Sequence, residues 1–280
     1  MKACDLHTHS IYSDGTYTPG QIIDEAEALG LSAVALCDHN TVDGLPDFLR
    51  QAEGRNIEAV PGVEFSVDYE GTEVHLLALY IPEHAFGALS AITDEMSRRK
   101  AESNVALVHA LNEAGYALDI EAIRRTTPNG KFNRVHVGAE LTRLGYTNSV
   151  DHAFDTLLAR GLGFYQTPER MPFFEVLAHI RSIGAVPVLA HPFLNLGHAQ
   201  LEAFLPKAKA CGLVGMECYY STYDDATTAC ALDMACRFGL KPSGGSDFHG
   251  ANKPDIALGS GRGGLAVPYE WAEALKNRTL

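Results

Sequence analysis

The 280-residue chain is poor in several things. It has a single tryptophan, Trp271, and no run of 18 apolar residues, so no membrane-spanning helix is expected. The N-terminus has neither the basic nor the apolar region of a secretory signal, and a cytoplasmic location is the expectation. Six cysteines (Cys4, Cys37, Cys211, Cys218, Cys230 and Cys236) form no Cys-x-x-Cys pair. That pattern fits reduced thiols rather than a thiolate metal site. Basic residues are scarce: 22 Lys and Arg face 35 Asp and Glu, for a net charge of −13, which argues against a general nucleic-acid-binding surface. There is no glycine-rich phosphate cradle and no Gly-x-Ser-x-Gly elbow, so a covalent serine mechanism is not expected. Internal repeats and low-complexity segments are absent as well.

What is present reads as an ordinary globular protein, 46% hydrophobic and 20% charged, long enough for one large α/β domain or a domain with an insertion. Short apolar strand-like runs alternate with helical ones. "KACDLHTH", "LSAVALCDHN", "IEAVPGVEFSV", "TEVHLLALYI", "AVPVLAHP", "LVGMECYY" and "LKPSGGSDFH" read as strands. "TPGQIIDEAEALG", with Thr18 as cap and Pro19 in the first turn, and "VDGLPDFLRQAEGR", with Pro46 in its first turn, read as helices. Repeated βα units with non-alternating apolar strands predict a parallel sheet covered by helices. Residues 85–172 break the rhythm and read as a helical insertion between the fourth and fifth strands, with "TTPNGKFNRVHVG" as a loop inside it. Residues 95–145 hold eight of the Lys and Arg (Arg98, Arg99, Lys100, Arg124, Arg125, Lys131, Arg134, Arg143) and are net +2. This is either a patch for one small anion or a solvated helix face.

The polar residues gather at the strand ends. His7 and His9 close the first strand on one face, because their spacing is two. Asp38 and His39 close the second, Glu64 the third, and His191, Asp247 and His249 follow later strands. In a parallel βα barrel the C-terminal strand ends meet at one mouth. His75, nearer the start of its strand, is less easily brought there. So many buried ionisable groups need compensating ions. The donors are nitrogen and oxygen, which suits Mn, Fe or Zn, and their number exceeds what one catalytic zinc needs, so two or three metals are expected, with Glu64 as a bridging carboxylate. Such a centre suits phosphate-ester hydrolysis, since metals bind phosphate oxygens and activate a bridging water.

At "DLHTHSIYSDG", "CDHNTVDG", "GVEFS", "EVHLLALY", "LAHP" and "SDFH" the chain resembles the polymerase and histidinol phosphatase (PHP) family. The resemblance implies a distorted (βα)7 barrel carried by residues 1–84 and 173–280, with 85–172 as a helical insertion lining the substrate pocket. The metal ligands it implies are His7, His9, Asp14, His39, Glu64, His75, His191, Asp247 and His249, with Asp14, His191 and His249 also catalytic. The cofactor implied is two or three divalent ions, Mn foremost. "RRKAESNVALVHALNEAGY" and "NRVHVGAELTRLGY" are similar to a subgroup that removes the 3′-phosphate from nucleoside 3′,5′-bisphosphates. For that substrate the second phosphate calls for fixed cations, and Arg99, Lys100 and Arg134, with Asn104 and His136, are the expected substrate-binding residues. Arg98 and Arg99 adjoin on a helix and cannot both face one site. Asp38 is expected either to orient a ligand or to cap a helix. The expected protein is a monomeric enzyme acting on a small nucleotide by a metal-bridging hydroxide with no covalent intermediate. The alternatives are a 5′→3′ exoribonuclease acting on short RNA, a histidinol phosphatase, or a non-catalytic metal-binding module.

Overall fold

The computed structural model describes residues 2–127, 130, 132–159 and 161–277; Pro128, Asn129 and Lys131 of the expected loop lie outside the described residues. The chain divides into two compact units, Met1–Thr93 with Arg170–Leu280, and Asp94–Glu169.

The first unit is mixed α/β. Its strands are β1 (Ala3–Thr8), β2 (Ala33–Leu36), β3 (Glu58–Pro61), β4 (Val63–Tyr69), β5 (Thr72–Leu79), β6 (Val186–Leu189), β7 (Gly215–Tyr220), β8 (Lys241–Gly245) and the short β9 (Val267–Pro268). They form two sheets, ordered β3-β2-β1-β9 and β4-β5-β6-β7-β8. The helices Pro19–Ala28 and Leu45–Ala52 form where the sequence signals them. Thr18 closes a reciprocal capping box with Gln21, and Pro46 sits in a first turn, where its missing N–H costs nothing.

The parallel expectation holds for β1–β2–β3 and β6–β7–β8 and fails between them, where β4, β5 and β6 pair antiparallel. Glu70 and Gly71 both take positive φ (50° and 83°) and turn β4 directly into β5. Such a two-residue connection makes a hairpin and leaves no length for a crossover helix. "IEAVPGVEFSV", expected as one strand, is two strands in different sheets. They part at Gly62, where a Cβ would lie 2.9 Å from Cys37 Sγ and 3.1 Å from the Leu36 and Ala78 carbonyl oxygens. Only glycine lets the chain pass from one sheet to the other through that gap.

Backbone hydrogen bonds join the sheets at two seams. Asp247 N donates to His7 O (2.8 Å) and His9 N to Phe248 O (2.9 Å); at the other seam Asn40 N donates to Glu64 O (2.9 Å). The sheets share one core, with Cys4, Leu6, Ala35 and Val60 from the first against Leu77, Leu79, Val186 and Val188 from the second. Ala272 and Leu275 of the helix Tyr269–Asn277 belong to the same cluster.

Gly245 sets the closest approach at the first seam: a Cβ there would stand 2.4 Å from His7 Cβ and 2.5 Å from His7 N. Gly245→Ala is expected to cost about 1–3 kcal/mol or more through overpacking, a melting temperature lower by roughly 2–10 °C for a chain of this size. It should also weaken divalent-ion binding, because His7 is the residue pushed aside. Thermal melts and ion titration of the variant check both effects.

The second unit is helical and has no strand among its described residues. Its boundary at Asp94 falls within the helix Phe86–Glu113, and Ile120–Arg125, Arg134–Arg143 and Val150–Ala153 follow. They bury their own core of Leu107, Leu111, Ile123, Val137, Leu141 and Leu158. The expected loop "TTPNGKFNRVHVG" ends sooner than its turn-rich look suggests, because Asn133 caps a helix there: its side chain accepts from the Val135 and His136 N–H groups (3.0 and 3.3 Å).

Candidate metal centre

The nine ligands expected by motif lie together in the first unit. Glu64, at the start of β4 and fully buried, is the hub. Its Oε1 lies 2.8 Å from His75 Nδ1 and 3.0 Å from His191 Nε2. Its Oε2 lies 3.0 Å from His39 Nδ1, 3.3 Å from His7 Nε2 and 3.4 Å from His9 Nε2. Asp247 Oδ1 stands 3.1 Å from His9 Nε2 and 3.4 Å from His249 Nδ1, and Asp14 Oδ1 stands 3.2 Å from His249 Nε2. The antiparallel hairpin accounts for His75. It pairs with Ser66, two residues beyond Glu64 and on the same face of β4, so its ring reaches the Glu64 carboxylate. A parallel strand would have carried it to the other end.

Three overlapping groups have the spacing to hold an ion: His9, Asp14, His39 and His249; His7, His9 and Glu64; and His39, Glu64 and His75. The pattern of satisfied and orphaned atoms supports this chemistry. His7 Nε2, His9 Nδ1 and Nε2, His39 Nδ1 and Glu64 Oε2 are buried without a partner in hydrogen-bonding geometry, short as some of the contacts are. Buried polar atoms are rarely left so, and these five converge on shared points. Nitrogen and oxygen donors at such spacing fit divalent Mn, Fe or Zn.

The electrostatics agree. Burial disfavours the charge on His7, yet the Glu217, Glu64 and Asp247 carboxylates hold its pKa well above the usual imidazole value. Burial also opposes charge on His75, but Glu64 and Glu73 raise it to about 9. His9 is driven well down by burial and by the neighbouring His249 and His39. Burial works against ionising Asp14, Glu64 and Asp247, but the surrounding imidazoles hold all three well below the usual carboxylate range. Without an ion, protons on the histidines must balance the carboxylates; divalent ions would do so without leaving ring nitrogens idle.

Several supporting residues escaped the sequence reading. Glu217, in the middle of β7 and fully buried, has Oε1 3.0 Å from His7 Nδ1 and accepts from the His191 backbone N–H at 2.7 Å. A carboxylate only accepts, so Nδ1 keeps its hydrogen, and it is Nε2 that would give up a proton and turn its lone pair to an ion in the cluster. The one signal was an acid inside the apolar run "GMECYY". Tyr220 donates its hydroxyl to Asp247 Oδ2 at 2.8 Å, and Lys253 Nζ lies 2.7 Å from the same oxygen. Asp38 caps no helix, and it acts on a ligand candidate through that residue's loop. It accepts from Ser10 N, Ser10 Oγ and Ser13 Oγ (2.7, 2.6 and 2.6 Å) and so braces the loop that carries Asp14. His191 and Asp247 hold positive φ (24° and 57°), backbone strain of the kind that collects at functional sites.

The expected substrate-binding residues all lie in the second unit, and Arg99, Asn104, Arg134 and His136 have partners there. Arg99 pairs with Glu95 (2.7 Å) and Glu169 (3.3 Å), while Arg98 pairs with Glu95 and Glu102. Asn104 is buried and donates to the Phe132 carbonyl. The Arg134 guanidinium lies 4.1 Å from the Tyr165 ring centre and donates to the Leu158 carbonyl at 3.2 Å. His136 folds back on Asn133, and Lys100 is half-buried.

Comparison with known proteins places this geometry in a family. The PHP domain model matches residues 5–161. A 3′,5′-nucleoside bisphosphate phosphatase from Chromobacterium violaceum is 31% identical over 89% of this chain and 88% of its own. A phosphoribosyl 1,2-cyclic phosphate 1,2-diphosphodiesterase from Eggerthella lenta is 30% identical over 88% of this chain and 94% of its own. A 5′-3′ exoribonuclease from Haemophilus influenzae is 27% identical over 89% of this chain and 90% of its own. The three act on different substrates, yet each aligns over nearly the whole chain, and the chain belongs to the PHP domain family of phosphoesterases.

Proposed function

We propose that the protein is a metal-dependent phosphatase that removes the 3′-phosphate of nucleoside 3′,5′-bisphosphates, converting 3′-phosphoadenosine 5′-phosphate to AMP and phosphate. The observation that carries the reading is the nested donor cluster around Glu64, with five buried donor atoms left for ions. The residues that would hold two or three divalent ions are His7, His9, Asp14, His39, Glu64, His75, His191, Asp247 and His249, with Mn the first expectation. Bound there, such ions supply positive charge for phosphate oxygens and a nucleophilic water at neutral pH.

The chain's own groups set the rest. Asp14 is the most open of the three cluster carboxylates, 20% exposed against 6% for Asp247 and 1% for Glu64, so it meets the substrate first. His249 Nδ1 lies 2.8 Å from the Asp247 carbonyl, which can only accept, so the hydrogen sits on Nδ1 and Nε2 faces Asp14. Asp14 Oδ1 and His249 Nε2 therefore face each other at 3.2 Å, a spacing at which one ion would take both. Glu217 fixes His191 through its backbone. We also read the two sheets, bonded at both seams around one core, as the distorted (βα)7 barrel, with residues 85–172 as its insertion. Arg99, Lys100, Arg134, Asn104 and His136 are the candidates for the second phosphate. The proposed setting is a cytoplasmic monomer; no described helix is long and apolar enough to cross a membrane.

The second reading is a 5′→3′ exoribonuclease, favoured by the similarity to the Haemophilus influenzae enzyme of that name. Phosphate and nucleotide release by the manganese-loaded protein separates the two. The substrates are 3′,5′-bisphosphoadenosine, histidinol phosphate, a 1,2-cyclic phosphate ester and a 5′-phosphorylated RNA oligomer. The bisphosphate is expected to turn over fastest and to leave 5′-AMP; preference for the oligomer would reject the phosphatase reading. Arg134→Ala should lower kcat/KM for the bisphosphate about tenfold or more and spare a simple monophosphate ester. Arg134 also packs on Tyr165, so a melting curve of Arg134→Lys is needed beside it to separate lost charge from lost packing.

A further inference from the structure

Lys253 occupies a singular place in the first unit. Among the described residues, no other Lys or Arg side chain is ion-paired with one of the nine candidate ligands. The backbone beneath it is fixed. Lys253 N donates to Gly250 O at 3.1 Å, and the intervening turn is tied to the loop carrying Asp14. Ala251 N donates to Thr16 Oγ1 (2.9 Å) and Asn252 Nδ2 to Asp14 O (2.8 Å). This turn bridges the two loops that bring Asp14 and Asp247 to the cluster, so Lys253 is anchored at the centre while its side chain stays 36% exposed.

Asp247 Oδ2 has two donors where one would orient it. Tyr220 is buried, its ring centre 5.2 Å from that of His191, and its hydroxyl alone directs Oδ1 toward the histidines. Lys253 is half-open to solvent, and an ion pair so exposed contributes little to holding a carboxylate in place. What it does supply is a positive charge beside a cluster of carboxylates that a phosphate dianion must approach. An ammonium is a compact charge with three donors, so it can keep Asp247 and donate to a further oxygen.

We infer that Lys253 binds the reacting phosphate, bridging Asp247 Oδ2 and a non-bridging oxygen of a phosphate monoester held at the centre. This rests on the reading that the centre works on phosphate esters. It names a phosphate-binding residue in the same unit as the metal ligands, apart from the basic residues of the second unit.

The test uses the full-length, manganese-loaded protein with Lys253→Met, Lys253→Arg and Tyr220→Phe. Inorganic phosphate and Mn²⁺ are titrated calorimetrically, and kcat and KM are measured on a phosphate monoester. Lys253→Met should weaken phosphate binding about tenfold or more, lower kcat/KM in step and leave Mn²⁺ affinity and the melting temperature in place, and Lys253→Arg should recover part of the loss. Tyr220→Phe should do the reverse, weakening Mn²⁺ more than phosphate. Unchanged phosphate binding in Lys253→Met would overturn the inference. So would a loss of Mn²⁺ parallel to Tyr220→Phe, which would make Lys253 a support for Asp247 and nothing more. Absence of phosphate release from every ester by the unmodified protein would instead reject the functional reading, and the phosphate titration would still decide the role of Lys253.

Discussion

Glu64→Gln is expected to lower kcat/KM by about 10³-fold or more and to remove at least one bound ion per chain. Glu64 stands in two of the three groups with ion-holding geometry, and its two oxygens reach five histidines. No other ligand candidate joins so many. An amide keeps the size and one acceptor oxygen but loses the charge that lets a carboxylate bridge cations. An ion of this kind contributes several kcal/mol to the transition state, and each ~1.4 kcal/mol is tenfold in rate. The buried histidines would also lose their central anion, so Glu64→Gln tests the electrostatic account directly. His75, now raised to about 9 chiefly against the cost of burial by Glu64, should fall toward the usual imidazole value in the ion-stripped variant. Metal content by mass spectrometry and an NMR titration of the histidines give the two readouts. A variant that kept full metal content and most of its rate would show that Glu64 is not the hub.

Removing divalent ions with a chelator is expected to bring phosphate release down to background and to leave a protein whose stability depends steeply on pH. The direction follows from the shifts. His75 binds its proton more tightly folded than unfolded, so its contribution is complete below about 6.5 and is lost as pH rises through about 9. His7, also raised, adds to the same loss. Asp14, Glu64 and Asp247 are lowered, so their contribution is complete above their unfolded values, 3.8 to 4.5, and is lost only as pH falls below that range. His9, lowered, works the other way and costs stability below about 6.5, so the stripped protein should be most stable near pH 6.5 and weaken toward pH 9. Ions bind the deprotonated rings and displace those protons, so the stabilisation from added Mn²⁺ should grow over the same interval. Melting curves from pH 5 to 9, with chelator and with Mn²⁺, check this. A pH-independent gain would place the ion somewhere other than among these histidines.

The positions of the ligand candidates were legible because their chemistry is local. His-x-His, Asp-His, His-Pro and Asp-x-His at the ends of apolar runs announce themselves whatever the neighbouring strands do. What was not legible depends on partners distant in the chain. Glu217 looks like an oddity inside an apolar strand until His7, 210 positions away, is seen beside it. Tyr220 and Lys253 carry no motif, and their role exists only in relation to Asp247. In the fold, strand order and direction were the weak points. A parallel reading of β5 left His75 at the wrong end, and the two-residue turn at Glu70-Gly71 that reverses the strand is a stronger signal than the apolar pattern around it. Gly62 reads as part of one strand because a lone glycine in an apolar run does not show how near the next sheet will come.

The seam between β1 and β8 has a consequence for how the protein comes into being. His7 and His9 are translated some 240 residues before Asp247 and His249, whose stretch pairs with them through the Asp247–His7 and His9–Phe248 backbone bonds. Through that interval the growing chain displays an incomplete set of imidazoles with no second edge to close upon. Ion capture in its final form must wait until the Asp247–His249 stretch has emerged. Closing so long a loop costs entropy, so the last step of folding should be slow and should quicken when manganese is supplied.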